Sequence, residues 1–312
     1  TLYQLAGWGV DTVAGLRFTE LPTATAGPFA ATHRTMFGPT FIEDGDGVVP
    51  VPSALMTSTT SPNVKRYWMD LNRFNREQSS DRKHSGLFEI PSLQTFIKNV
   101  IKNSTSTLPA YISESQPSPI TANKKLVFIL HSPLTLQLTD SSGNTTGLSG
   151  DDSVTQNIPN ATYGEFGDVQ YIIAQEGSYT LSMNGQASGT FTLEMQGMTG
   201  NTITASSTIA NVPTTSSTLA SLTISGGIDT ASVLSVDEDG DGTADITITP
   251  KAGETVNYEP PAPSPTPSPI ISSSGGGGGR SSIPVQTLTA TTTPVIQTAA
   301  TSTPEFATST PV

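Results

Sequence analysis

The 312-residue sequence contains no cysteine. That excludes a disulfide framework, a thiol nucleophile and a zinc-thiolate site. Charge is also scarce: 13% of the residues are charged, and 14 Lys and Arg stand against 26 Asp and Glu, for a net charge of −12. Nucleic acid and anionic membrane surfaces both call for clustered bases, so neither is expected as a partner. No run approaches the roughly 20 apolar residues of a membrane span. No signal peptide is visible, the sequence has no initiating Met and no G-x-S-x-G, and its first serine is Ser53. The chain opens on TLYQLAG, already strand-like, and therefore reads as a piece of something longer. What is abundant is Thr, Ser, Gly and Asn among few charges, a composition that implies a secreted or cell-surface protein.

The hydrophobic period divides the chain. Residues 1–103 mix strand patterns (YQLAGWG, MFGPTFI, VKRYWMDLN) with a helix pattern at Leu93, Phe96, Ile97, Val100 and Ile101, opened by Pro91 and Ser92. Strands alternating with helices indicate layered α/β architecture. Residues 104–122 are polar and proline-containing, and read as a linker. From 123 to 213 the period is two, as in Leu126, Phe128, Leu130 and in Val169, Tyr171, Ile173, with Gly and Asn turns between the runs. That pattern is expected of an antiparallel β-sandwich. Residues 214–258 are either its last strands or a small β unit with an acidic D-x-D-x-D-G loop; we delimit them as the small unit. Residues 259–312 are Pro-, Gly-, Ser- and Thr-rich low complexity, expected to be a disordered spacer.

The pentapeptide EDGDG occurs twice, at 43–47 and 238–242. The second copy lies in DEDGDGTAD. Asp237, Asp239, Asp241 and Asp245 take positions 1, 3, 5 and 9 of a calcium loop, with Gly242 at position 6 and the Thr243 carbonyl at 7. Four aspartates in nine residues repel one another unless a cation neutralises them, so a structural Ca2+ is expected there. Position 12 is Ile248 where an EF-hand needs a bidentate Glu, and the segment after the loop is strand-like. The spacing resembles the D-x-D-x-D-G-x-x-D loops of dockerins and bacterial surface repeats.

The first copy is followed by VVPVPSA, a strand at 64–72, and DRKHSGLFEIPS, which delivers His84 just before a helix. This order resembles the C-terminal part of an α/β-hydrolase of the lipase and lecithin:cholesterol acyltransferase-like group, over about the first hundred residues. The resemblance implies Asp46 as the triad acid and His84 as the general base. Asp46 is preferred to Asp44 because the family's acid stands three positions before the Val-Pro pair, here Val49 and Pro50. The nucleophile and oxyanion hole would lie upstream of Thr1. His131 is read as structural, His33 as a strand residue and Trp8 as core.

The fold class expected is therefore α+β and multidomain: a hydrolase fragment, an antiparallel sandwich and a disordered tail. The function expected is that of a secreted lipase- or esterase-like serine hydrolase, acting on a lipid or ester in the parent protein. This chain alone would be inactive. The alternatives are a non-catalytic surface binder carrying a hydrolase remnant, and an acyltransferase. Attachment to the cell envelope would run through the tail.

Overall fold

The architecture changes character where the hydrophobic period does. In the computed structural model, residues 1–22, 33–57, 62–104, 107–118, 123–131 and 133–260 are described. The front of the chain carries β1 (Leu2–Trp8), β2 (Thr12–Pro22), β3 (His33–Ile42), α1 (Val51–Ala54), β4 (Val64–Asp70), α2 (Leu71–Gln78), α3 (Pro91–Ile101) and β5 (Ile112–Ser113). β1 and β4 pair in parallel and β5 adds antiparallel to β4. Alternation along β4 turns Tyr67 and Met69 inward, where they cluster with Leu93 and Phe96 of α3. Asp70 caps α2 by accepting the Arg73 N–H, and Pro91 begins α3 at a position where no N–H is needed.

Thirteen further strands follow: β6 (Lys124–His131), β7 (Gln137–Asp140), β8 (Thr145–Leu148), β9 (Val154–Gln156), β10 (Thr162–Phe166), β11 (Val169–Gln175), β12 (Gly177–Asn184), β13 (Gly189–Thr199), β14 (Thr202–Thr214), β15 (Leu219–Gly226), β16 (Leu234–Asp237), β17 (Ile246–Ile248) and β18 (Thr255–Asn257). They form a six-stranded sheet, β10-β11-β6-β13-β14-β18, and a seven-stranded sheet, β17-β16-β15-β12-β7-β8-β9. Phe128, Leu193 and Ile209 from the first meet Leu181, Leu222 and Val236 from the second in one core, which makes the pair a β-sandwich.

The outer face of the six-stranded sheet is covered as well. β2 and β3 form a long hairpin whose Val13, Phe37 and Phe41 lie on Val127, Ile129, Val169, Ile173 and Met198. The set Val169, Tyr171, Ile173 therefore faces the hairpin, while Ile172 and Ala174 face the sandwich core. The strands of 214–258 all pair into the two sandwich sheets, so this segment completes the sandwich. The segment read as a linker contributes β5, with Ile112 buried in the front core. By its contacts Thr1–Tyr258 is one unit and Glu259–Val312 another. The tail expected to be disordered lies, from residue 261 on, outside the described residues.

This architecture overturns the resemblance to the C-terminal part of an α/β-hydrolase. Among the described residues 51% are strand and 14% helix, with several large sheets. A hydrolase fragment of that kind would be a mainly parallel sheet covered by helices on both faces. Here the sandwich sheets are antiparallel apart from the short β14–β18 pair, and β1–β4 is the one parallel pair in the front sheet among the described residues. The α+β multidomain expectation gives way to a β-rich, multi-sheet fold with few helices. The acidic loop likewise joins two strands of the sandwich, so its likeness to dockerin loops is one of spacing alone.

Candidate functional site

The turn 43–50 is held against the end of β1 by main-chain bonds. Gly9 N–H donates to the Glu43 carbonyl at 2.9 Å, Val10 N–H to the Gly45 carbonyl at 3.1 Å, and Val51 N–H to the Asp44 carbonyl at 2.8 Å. Thr12, almost fully buried, donates its hydroxyl to the Val10 carbonyl and accepts the Gly47 N–H. Packing here is tight enough to dictate glycine twice. A Cβ on Gly45 would stand 2.2 Å from Thr12 Oγ1, and one on Gly7 would stand 2.6 Å from Asp46 Cβ. Gly7 thus lets the acid lie directly on β1.

Asp46 is 4% exposed, and each of its carboxylate oxygens has an assigned task. Oδ1 accepts the N–H groups of Val48 and Val49 at 3.1 and 2.8 Å. Oδ2 lies 2.8 Å from His84 Nδ1, while the His84 N–H donates to the Asp46 carbonyl at 2.8 Å. With the carboxylate ionised, Nδ1 carries the proton, and Nε2 of the neutral ring is left as an acceptor. The His84 side chain is about half exposed, and Nε2 has no hydrogen-bond partner among the described residues. Asp44, the other acid of the turn, accepts from Trp8 Nε1 at 2.7 Å and from Gln116 at 2.9 Å. Trp8 itself packs with Ala6, Val51 and Leu55.

His84 and Asp46 line a pocket of about 380 Å3, whose other walls include Tyr3, Leu5, Leu87, Leu93, Phe96 and Ile97. It is therefore an apolar pocket with one acid–base pair on its wall. A larger groove, of about 620 Å3, is lined by Asn72, Asn75, Arg76, Ser79, Asn123 and Gln175 among others. No histidine lines that groove, so the smaller pocket is the better candidate for chemistry. His131 is buried and bonded to Glu194 at 2.8 Å, and Arg17 of the hairpin closes on the same carboxylate. Burial would raise the Glu194 pKa, but the His131 bond and the Arg17 charge hold it below its ordinary value. His33 opens β3.

The second EDGDG lies between β16 and β17. Asp237, buried, accepts Gly240 and Asp241 N–H on Oδ1 and Gly242 N–H on Oδ2. Carboxylate oxygens of Asp237, Asp239 and Asp245 come within 4.8 Å of one another and could hold a metal ion. Asp241 is outside that set; its Oδ1 accepts the Thr243 N–H at 2.7 Å. Of the five residues expected at this site, the structure brings three together.

No family model, curated protein or solved structure matches the chain. Function must therefore be argued from these two sites. The supporting residues Gly7, Thr12 and Glu43 carried no signal of their own in the sequence, because each acts through contacts made only in the folded chain.

Proposed function

We propose that Asp46 and His84 are the acid and general base of a serine-type acyl hydrolase centre, with a serine supplied from outside these 312 residues. The observation that carries the reading is the 2.8 Å contact of Asp46 Oδ2 with His84 Nδ1 on the wall of an apolar pocket, with no partner for Nε2 among the described residues. Such a pair is recognised by geometry and roles rather than by fold. Nε2 would take the serine proton as the hydroxyl oxygen attacks the ester carbonyl, and Asp46 would stabilise the imidazolium. The proton then passes to the departing alcohol. Water repeats the sequence on the acyl-enzyme, with Nε2 again the base, and releases the acid. The apolar wall suits the acyl part of the ester.

The test is ester turnover. The isolated chain is expected to leave p-nitrophenyl esters intact, because the nucleophile and oxyanion donors are missing. With the serine-bearing polypeptide present, in cis or in trans, turnover should appear and His84→Ala should abolish it. Turnover indifferent to His84→Ala would overturn the reading.

For the second EDGDG we propose a structural Ca2+ site built on Asp237, Asp239 and Asp245. Supporting this reading is the convergence of three carboxylates, none of them in a salt bridge with a basic side chain among the described residues. With no bidentate Glu at position 12, affinity is expected in the weak extracellular range of about 10⁻⁴–10⁻³ M. Calorimetric titration with CaCl2 tests it: saturable binding lost in Asp239→Asn supports the site, and no heat at millimolar Ca2+ removes it.

A further inference from the structure

Lys125, on β6, is a lysine with 1% of its surface exposed. Burying an ammonium is costly unless carboxylates meet it, and here two do. Its Nζ bonds Asp11 and lies 3.5 Å from Glu43 Oε1. Asn123 Nδ2 donates to the same Glu43 oxygen at 2.8 Å, and Asn201 Oδ1 accepts the Glu43 main-chain N–H at 2.6 Å. Three residues of the sandwich thus grip Glu43 by side chain and main chain alike, three positions before Asp46. Asp11 adjoins Val10, which bridges to Asp46 itself. Burial raises the Asp11 pKa even against the pull of Lys125.

The loop bearing the histidine is gripped from the same side. Lys83, next to His84, donates to Thr162 Oγ1 on β10 at 3.0 Å. Both halves of the acid–base pair are therefore tethered one to three residues away, and each tether ends on a strand of the six-stranded sheet or on a residue flanking one. None of the tethering sandwich residues is bonded to Asp46 or His84 among the described residues, so any influence passes through the main chain of Glu43 and Lys83.

We propose that the β-sandwich is the positioning element of the acid–base pair, with Lys125, Asn123 and Asn201 fixing the Asp46 turn and Thr162 fixing the His84 loop through Lys83. This rests on the reading of Asp46 and His84 as an acid–base pair. A cluster serving stability alone would lower the melting temperature when cut and leave the Asp46–His84 contact unchanged. A positioning cluster would release the contact in protein that is still folded.

The experiment is proton NMR of the full 312-residue chain, following the His84 ring N–H bonded to Asp46. In Lys125→Met, which keeps the bulk and removes the charge, this resonance should be lost while the sandwich remains folded by circular dichroism. Should Lys125→Met fail to fold, the milder double variant Asn201→Ala/Thr162→Val, which leaves the buried ion cluster intact, decides. There the ring proton should exchange about tenfold faster, the consequence of losing hydrogen bonds of ordinary strength, in protein still folded by circular dichroism. A folded variant of either kind that kept the wild-type resonance and exchange rate would overturn the proposal. Ester turnover is a separate readout: its absence would count against the proposed function and leave this inference standing.

Discussion

Two copies of one pentapeptide take different backbones in this protein and face different neighbours. In the first, Gly47 alone has a left-handed φ, at 95°, and Gly45 lies against Thr12 without one; in the second, Gly240 and Gly242 both have one, at 79° and 89°. The first turn lies along β1 and aims one buried carboxylate at a histidine. The second curls on itself, so that Asp237 collects three of its own loop's N–H groups and three carboxylates converge. The lesson is that EDGDG encodes the ability to turn, while the chemistry is set by what the turn packs against: a strand with Gly7 beneath it in one case, the end of a hairpin in the other.

Equivalent substitutions should separate the two. The largest effect is expected on turnover with the serine present: Asp46→Asn should lower it by about 10⁴-fold by leaving the imidazole in the wrong tautomer, whereas its counterpart Asp241→Asn should leave it unchanged. Steady-state rates on a p-nitrophenyl ester check this, and equal losses at the two positions would erase the distinction. Next in size is Gly7→Ala. Its Cβ would collide with Asp46, 2.6 Å away, costing about 1–3 kcal/mol by overpacking, readable by urea denaturation. Calcium gives the smallest effect: at 10 mM and a dissociation constant near 10⁻³ M, stabilisation is about 1.4 kcal/mol. It should vanish in Asp239→Asn and survive in Asp46→Asn, as the thermal transition would show.

The α3 helix and strands such as β1, β4, β6 and β11 could be read from hydrophobic period, as could the turn residues of both acidic loops; β2 and α2 could not. Those signals are local: Leu93 and Phe96 recur at helical spacing, and glycines flank each acid. The second burial layer was harder. In Leu126–Leu130 an unbroken apolar run signals a strand covered on both faces, yet what covers it is a hairpin more than eighty residues earlier. Lys125 looks like an ordinary strand-edge base until the fold brings Asp11 and Glu43 onto it. Short motifs around Asp46 and His84 also suggested a family whose sheet architecture the chain does not have. Such motifs describe the geometry of a turn and are silent about the pairing of strands far from it.

A gentler test concerns the clasp that docks the hairpin carrying β2 and β3. Because the Glu194 pKa is held below its ordinary value of 4.5, its ionised form contributes stability that is present above that pH and lost as the pH falls through the lowered folded value. The protection factors of the hairpin amides should therefore fall below about pH 4.5, and less so in Glu194→Gln, whose side chain has no charge to lose.

The central claim is that Asp46, and not its counterpart in the identical turn, sets the protonation geometry of His84. Nitrogen-15 NMR of the His84 imidazole at neutral pH tests it without need of substrate. The account predicts a ring protonated on Nδ1 in the unaltered chain and in Asp241→Asn, with the Nδ1 preference lost in Asp46→Asn. A His84 ring that shows the same mixture of tautomers in all three proteins would contradict it.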